Sequence, residues 1–198
     1  MKHGALFYVA VTCLFISCNN TEQVASTTAK PKASRNSEAF NQAIDSLLDP
    51  YYALSAAFVE WDSAAVHAQA QQLNQQVEAT LSKDAMKELD SSARLAVAKV
   101  GSYANSMHPL SLDKSRELFN RLSNELHGFL RVVHYDKQKL YLQQCPMAFN
   151  DTGTGIWISK VEEINNPYLG KHHPRYKSGM LHCGETKEAL NFSGEAGK

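Results

Sequence analysis

The sequence predicts a mainly α protein: an antiparallel up-and-down helical bundle with a small irregular C-terminal region of strands and loops. Two observations predict this fold. Apolar residues recur every three or four positions between residues 37 and 133, which is the period of an amphipathic helix. From residue 134 onward that period is lost, and glycine, proline and aromatic residues become frequent. We expect residues 134–198 to form one domain with the bundle.

Composition limits the classes of function. The chain has 198 residues, of which 43% are hydrophobic and 20% charged, as in an ordinary globular protein. Lys and Arg together number 20 and so do Asp and Glu, so no basic surplus points to a nucleic-acid partner. The sequence has no phosphate-binding glycine motif, no G-x-S-x-G and no H-E-x-x-H. We therefore predict a protein that is not an enzyme.

Residues 1–17 are typical of a lipoprotein signal peptide. Lys2 supplies a positive charge, and the apolar run Ala5–Ile16 would span roughly 18 Å as a helix, too short for a bilayer core of about 30 Å. The run ends in Ile16-Ser17-Cys18, which resembles a bacterial lipobox. We predict lipidation at Cys18; an ordinary signal peptide that leaves Cys18 as a plain thiol stays open.

Lipidation would place the protein in the bacterial cell envelope, on the outer membrane and facing the periplasm. Residues 18–36 are rich in Ser, Thr, Asn and Lys without an apolar period, which predicts a flexible tether. The protein is therefore predicted to contact the membrane through the lipid attached to Cys18.

Four helices are predicted between residues 37 and 133. The first is interrupted by Pro50, where either a kink or a helix junction is expected. Asp62, Ser82 and Ser111 are predicted N-caps of the second, third and fourth helices, because their side-chain oxygens can accept free backbone N–H groups. Pro109 is expected to end the third helix. Each helix has an apolar face; that of the fourth comprises Ser115, Leu118, Leu122, Leu126, Phe129 and Val133.

The C-terminal third begins with a predicted hairpin. Gln138–Gln144 and Gly155–Ser159 are the predicted strands, with the turn signals of residues 150–155 between them. No regular helix is expected before about Glu185.

Two short clusters of sulfur side chains stand out in this region. Cys145 and Met147 flank Pro146, and Met180 precedes Cys183 by three residues. Thiolate and thioether sulfurs are soft ligands that select Cu(I) over hard cations. Two such pairs can close one metal site, and His182 can replace a ligand or bind a second position.

A disulfide is the alternative interpretation of the same cysteines. If Cys13 is removed with the signal peptide and Cys18 is lipidated, only Cys145 and Cys183 remain. Two cysteines in an oxidising compartment usually form one disulfide. Its loop would stabilise the fold by about 4 kcal/mol in the chain-entropy model.

Several stretches of the chain resemble an uncharacterised periplasmic domain of Bacteroidetes lipoproteins, which also occurs at the C-terminus of some heavy-metal efflux adaptor proteins. The resemblance covers about residues 40–190. It is carried by Tyr52–Phe58 with Asp62, Leu140–Ala148, Trp157–Ser159, Ile164–Gly170 and Met180–Gly184.

The resemblance implies a helical domain with a compact C-terminal region that handles copper. It implies Cys145, Met147, Met180 and Cys183 as ligands. It implies a scaffold role for Trp157, Asn166, Pro167 and Tyr168. Residues 171–178 depart from the pattern as an insertion, whose His172 and His173 are either extra metal ligands or part of a solvated basic loop.

Taken together, the sequence predicts a periplasm-facing lipoprotein that binds a soft metal, expected to be Cu(I), in metal homeostasis or efflux. A heavy-metal efflux adaptor is the expected protein partner. The alternative is a non-catalytic structural or interaction module with Cys145 and Cys183 joined as a disulfide.

The lipidation prediction is tested by Cys18→Ser. Without the thiol no lipid can be attached, so the variant should accumulate unprocessed or as a soluble secreted form. Membrane fractionation and the intact mass of the mature protein report the result. Unchanged membrane association and mass would contradict lipidation at this residue.

Overall fold

The structure, a computed structural model, describes Met1 and residues 34–193. The predicted signal peptide and most of the predicted tether lie outside the described residues. The helices are α1 Glu38–Val59, α2 Ser63–Leu81, α3 Ser91–Asn105 and α4 Leu112–Val132, with a short 3-10 turn at Asp84–Met86. The strands are β1 Leu140–Phe149, β2 Gly153–Ser159 and β3 Glu185–Leu190.

The prediction of a mainly α fold with only a small loop region is wrong. The C-terminal third forms a three-stranded antiparallel sheet in the order β2-β1-β3, so the fold is mixed α/β. Leu140, Trp157, Ile158 and Leu190 of this sheet belong to the same hydrophobic cluster as the buried faces of the helices. The sheet is therefore a full layer of the core.

The sequence analysis underestimated the extent of the sheet, because strand β3 and the second half of β1 depend on their pairing partners. Residues 185–190 contain helix-favouring Glu, Lys and Ala, yet they pair with β1 from Leu140↔Leu190 to Gln144↔Glu185. The predicted first strand, Gln138–Gln144, ended before Pro146. In the structure β1 continues, because Pro146 lies beyond the pairing with β3 and within an irregular step of the β1–β2 pairing, where its missing N–H breaks no ladder bond.

The helix ends follow side-chain capping. Asp62 accepts the N–H of Ala65 at 2.9 Å, and Ser111 caps α4 through the N–H of Lys114. The predicted cap at Ser82 is wrong. Ser82 ends α2, and Asp90 caps α3 instead, since its carboxylate reaches two free N–H groups of the first turn. Pro50 lies inside α1, which continues through it as one helix.

Consecutive helices pack on each other. Buried hydrogen bonds join α1 to α4 and to β2 of the sheet. The Tyr51 hydroxyl is fully buried, shares a hydrogen bond of 2.9 Å with the Ser123 hydroxyl and accepts one of 2.9 Å from the Ile158 N–H. The Tyr51 ring stacks on Phe119 of α4 with a centroid distance of 5.4 Å. The Tyr51 side chain thus links α1 to α4 and to β2.

The end of the predicted tether is held by the domain. Asp136 accepts hydrogen bonds from the Ser34 hydroxyl at 2.6 Å and the Arg35 N–H at 2.7 Å. The Asn36 side-chain amide donates to the carbonyls of Val133 and His134, both at 3.2 Å. Residues 34–36 are therefore part of the folded unit. Within the described residues, no helix combines the length and apolarity that crossing a bilayer requires.

The Tyr51 contact predicts a stability loss. Tyr51→Phe keeps the ring packing but leaves the buried Ile158 N–H and Ser123 hydroxyl unpaired, which should lower the free energy of unfolding by about 1–3 kcal/mol. Urea denaturation measures it. Tyr103→Phe is the control, because Tyr103 is half-buried on α3 and its hydroxyl bonds to no described residue. Equal midpoints for the two variants would contradict the proposed role of the Tyr51 hydroxyl.

Candidate functional site

Cys145 and Cys183 meet at one end of the sheet. Cys145 is buried on β1, and Cys183 lies two residues before β3 and is half-buried. Their Sγ atoms are 3.6 Å apart, and both are free thiols. The pairing of Gln144 with Glu185 brings the two residues together, because each cysteine is close in sequence to that pair. Residues that are remote in sequence thus form one two-sulfur site, which we call the cysteine pair.

Gly184 allows the close approach of the two chain segments. A Cβ atom at this position would lie 2.7 Å from the Gln144 carbonyl oxygen and 3.1 Å from the Trp157 ring. Its φ of +147° is also a conformation that other residues rarely adopt. A side chain here would push Cys183 away from β1, so this glycine sets the sulfur–sulfur distance.

Asn166 holds the Cys183 turn from the other side. Its buried amide donates to the Cys183 carbonyl at 2.7 Å, and its backbone N–H donates to the Leu181 carbonyl at 2.9 Å. Its side-chain oxygen accepts from the N–H groups of Tyr168 and Leu169 at 2.8 and 3.0 Å. One buried residue therefore fixes the Cys183 turn and the following segment relative to each other.

The other scaffold residues implied by the resemblance pack around this junction. Trp157 lies on β2 opposite Gln143, is buried, and contacts the Tyr168 ring at a centroid distance of 6.0 Å. The buried Tyr168 hydroxyl donates to the Ile156 carbonyl. The Pro167 carbonyl accepts a hydrogen bond of 3.1 Å from Arg116 of α4. These contacts connect the cysteine pair to the helices.

The two methionines lie in different surroundings. Met180 is at the start of the turn that contains Cys183, whose N–H donates to the Met180 carbonyl at 3.0 Å. Met147 lines a cavity together with Trp61, Arg116 and His173. Both side chains are partly buried against the core. Met180 therefore shares a turn with the cysteine pair, whereas Met147 belongs to the wall of a separate cavity.

The histidines are engaged in other ways. The His173 Nδ1 accepts the N–H groups of Arg175 and Tyr176, both at 3.2 Å, so its lone pair is occupied. Burial, assisted by the charge of Arg116, lowers the pKa of His173. His172 is exposed on the same loop. His182 is exposed, and its Nδ1 lies 2.7 Å from the Ile164 carbonyl; since a carbonyl only accepts, Nδ1 carries the proton and Nε2 is free in the neutral ring.

The predicted histidine ligands do not join the cysteine pair in this arrangement. Across residues 34–193, no three side chains of the His, Cys, Asp and Glu types converge to hold a metal ion. The structure thus brings together Cys145 and Cys183 from the predicted set, with Met180 in the same turn. The reactive groups at this site are therefore the thiols of Cys145 and Cys183, which contact each other.

The local environment keeps the Cys183 thiol protonated at neutral pH. Burial, followed by its hydrogen bond with Cys145, raises the pKa of Cys183 to about 11. An unfolded thiol titrates near 8.5. Metal binding by this residue must therefore release a proton, and apparent affinity rises with pH.

Sequence reasoning missed Arg116, a buried arginine of α4. It is 3% exposed, although arginine is rarely buried without a partner. The predicted α4 face contained Ser115 and Leu118 but not Arg116 or Phe119. A signal was present: Arg116, Phe119, Ser123, Leu126 and Leu130 follow a 3-4-3-4 spacing, and all of them are buried.

Comparison with known proteins adds no relative. The chain matches no family model, no curated protein and no solved structure. The resemblance seen in the C-terminal motifs therefore stays a prediction.

The raised pKa predicts the reactivity of Cys183. Its alkylation rate should still rise about tenfold per pH unit between pH 8.5 and 10, because the thiolate fraction keeps growing up to the pKa of about 11. The rate is measured with iodoacetamide and read on the Cys183 peptide by mass spectrometry. The urea-unfolded chain is the control and should level off above about pH 8.5. A plateau at the same pH in the folded chain would contradict the raised pKa.

The same pKa difference has a consequence for stability. Between about pH 8.5 and pH 11 the folded state holds the Cys183 proton and the unfolded state releases it. The folded state therefore binds more protons than the unfolded state in this window. The contribution of Cys183 to the free energy of unfolding falls as the pH rises through it.

Proposed function

We propose that this protein binds Cu(I) through the thiolates of Cys145 and Cys183, as a lipid-anchored protein of the cell envelope. The observation that carries the proposal is the 3.6 Å separation of the two sulfur atoms. The metal is the protein's cargo, and no catalytic step is involved.

The sulfur separation suits a shared metal ion. Two thiolates at about 2.3 Å from one metal lie about 3.8 Å apart at a tetrahedral angle and about 4.6 Å apart in a linear arrangement. The observed 3.6 Å is close to the first value, and about 1 Å of opening reaches the second. Cys183 is half-buried and Cys145 is fully buried, so an incoming metal ion would contact Cys183 first.

The ligand set favours Cu(I) over zinc. A structural zinc site takes four nitrogen, sulfur or oxygen ligands, whereas Cu(I) is a soft ion that is also stable with two or three sulfur ligands. The convergent ligands described here are two thiols, with a thioether from Met180 in the same turn. A site of this composition fits a monovalent soft ion.

A structural disulfide is the second candidate, supported by the same contact. An approach of about 1.5 Å would bring the sulfurs to bonding distance. The disulfide and the metal site use the same atoms, so each excludes the other. In this form the protein is a non-catalytic interaction module.

The envelope location and an efflux adaptor as partner rest on the lipobox and on the C-terminal motifs. A Cu(I) site in such a location would serve copper homeostasis or efflux, because the ion would be held outside the cytoplasm. These parts of the proposal depend on the lipidation test given above.

A competition titration against a Cu(I) chelator tests the proposal, using the Cys18→Ser chain reduced and without oxygen. One Cu(I) should bind per chain. Cys145→Ser and Cys183→Ser should each lower the affinity at least about a hundredfold, because the variant loses one of two charged ligands. Met180→Ala should weaken binding about tenfold or less, since a thioether is neutral.

Met147→Ala is the matched control for Met180→Ala, because Met147 lines the separate cavity. Its affinity should equal that of the parent chain, whereas an equal loss in both methionine variants would support a four-sulfur site. Thiol labelling in air, with and without Cu(I), separates the two candidate functions. No copper binding together with a disulfide in air would leave only the structural role.

A further inference from the structure

A cavity of about 460 Å³ lies beside α4, apart from the cysteine pair. The segment after α1, the first turns of α4, the β1–β2 turn and the 171–178 insertion each contribute to its wall. We call it the Arg116 cavity. Its volume is in the range of small-molecule sites. Part of the wall is apolar and is formed by Trp61, Met147, Phe149, Tyr168, Leu169 and Pro174.

Arg116 brings a buried positive charge to this wall. Its Nε donates to the Pro167 carbonyl at 3.1 Å, and its Nη2 donates to the Phe58 carbonyl at 3.2 Å. The guanidinium lies 3.9 Å from the centre of the Trp61 ring. The remaining nitrogen, Nη1, is buried and has no hydrogen-bond partner among the described residues.

The charge of Arg116 is poorly compensated. The nearest carboxylate, that of Asp113, is 3.6 Å from Nη1, and its side chain is 87% exposed, so the pair is weak. Burial lowers the pKa of Arg116 to about 10, which leaves the group charged at neutral pH. Two backbone carbonyls and the Trp61 ring stabilise the guanidinium in part, but no close, buried carboxylate neutralises its charge. A buried charge of this kind is costly, and such groups are often found at binding sites.

The insertion at residues 171–178 forms an ordered wall of the cavity. The Lys171 N–H donates to the Val59 carbonyl at 2.8 Å. The Asp151 carboxylate accepts from the Arg175 guanidinium at 2.6 Å and from the Tyr176 hydroxyl at 2.7 Å. The His173 ring packs edge-on against Trp61. The histidine-rich insertion thus shapes this cavity.

We propose that the Arg116 cavity binds a small organic carboxylate that carries an apolar body. The carboxylate pairs with Arg116 in the position that Asp113 occupies loosely, and the apolar body contacts the aromatic wall. A phosphate fits less well, because the carboxylates of Asp113, Glu117 and Asp151 in the same wall repel a charge of nearly two about twice as strongly as a single charge. The proposal does not depend on copper binding.

Isothermal titration of the Cys18→Ser chain tests this with three probes. 3-Phenylpropionate has both the carboxylate and the apolar body, 3-phenylpropanamide lacks the charge, and acetate lacks the body. The propionate should bind with one site per chain, and the amide and acetate should each bind at least about tenfold more weakly. In NMR spectra the Trp61 indole N–H should shift on binding, since that ring lines the cavity.

Two variants locate the anion. Arg116→Met should abolish propionate binding. Asp113→Asn removes the competing carboxylate and should tighten binding about two- to fivefold. Glu117→Gln is the matched control: it removes one negative charge from the same wall, but Glu117 pairs with Lys114 at 2.8 Å rather than with Arg116.

The Asp113 and Glu117 variants keep the proposal testable if Arg116→Met does not fold. Three results would overturn it: no binding of the propionate, equal affinity for propionate and amide, or equal effects of Asp113→Asn and Glu117→Gln. Each of these would leave Arg116 with a purely structural role.

Discussion

The buried amide of Asn166 is the constraint on which the C-terminal half depends. Its hydrogen bonds tie the Cys183 turn to the segment that contains Tyr168 and Leu169. Every one of these partners is a backbone group, so the amide serves as a local substitute for regular secondary structure between β2 and β3. Without it, the Cys183 turn would lose the bonds that hold it to the rest of the loop of 25 residues between β2 and β3, whose own periodicity specifies no regular structure.

The segments that Asn166 connects contribute to both the cysteine pair and the Arg116 cavity. On one side, the Cys183 turn is held against β1, and Gly184 permits the contact because any side chain would collide with the Gln144 carbonyl. On the other side, Tyr168 lines the Arg116 cavity, while the Pro167 carbonyl fixes one arm of the guanidinium. The same few residues therefore place a thiol pair and a buried positive charge on the scaffold, and the helices contribute through α4.

The predicted features that the structure confirms are local ones. The caps at Asp62 and Ser111 follow from a short polar side chain at the start of an apolar period, and no distant residue is needed to explain them. The wrong cap at Ser82 is also local in origin, because Asp90 competes for the same helix and a carboxylate reaches two N–H groups. The third strand could not be predicted from local sequence. In isolation residues 185–190 favour a helix, and only their pairing with β1 makes them extended.

The sequence by itself determined the helical periods, two of the caps, and the presence of soft sulfur ligands in two separate clusters. Those properties depend on residues within a few positions of each other. Only the tertiary structure decided that the cysteines meet and that Met147 and His173 line another cavity. These outcomes depend on strand register and on how the 171–178 insertion packs against the end of α1. Contacts between residues far apart in the chain set both, and no short pattern encodes them.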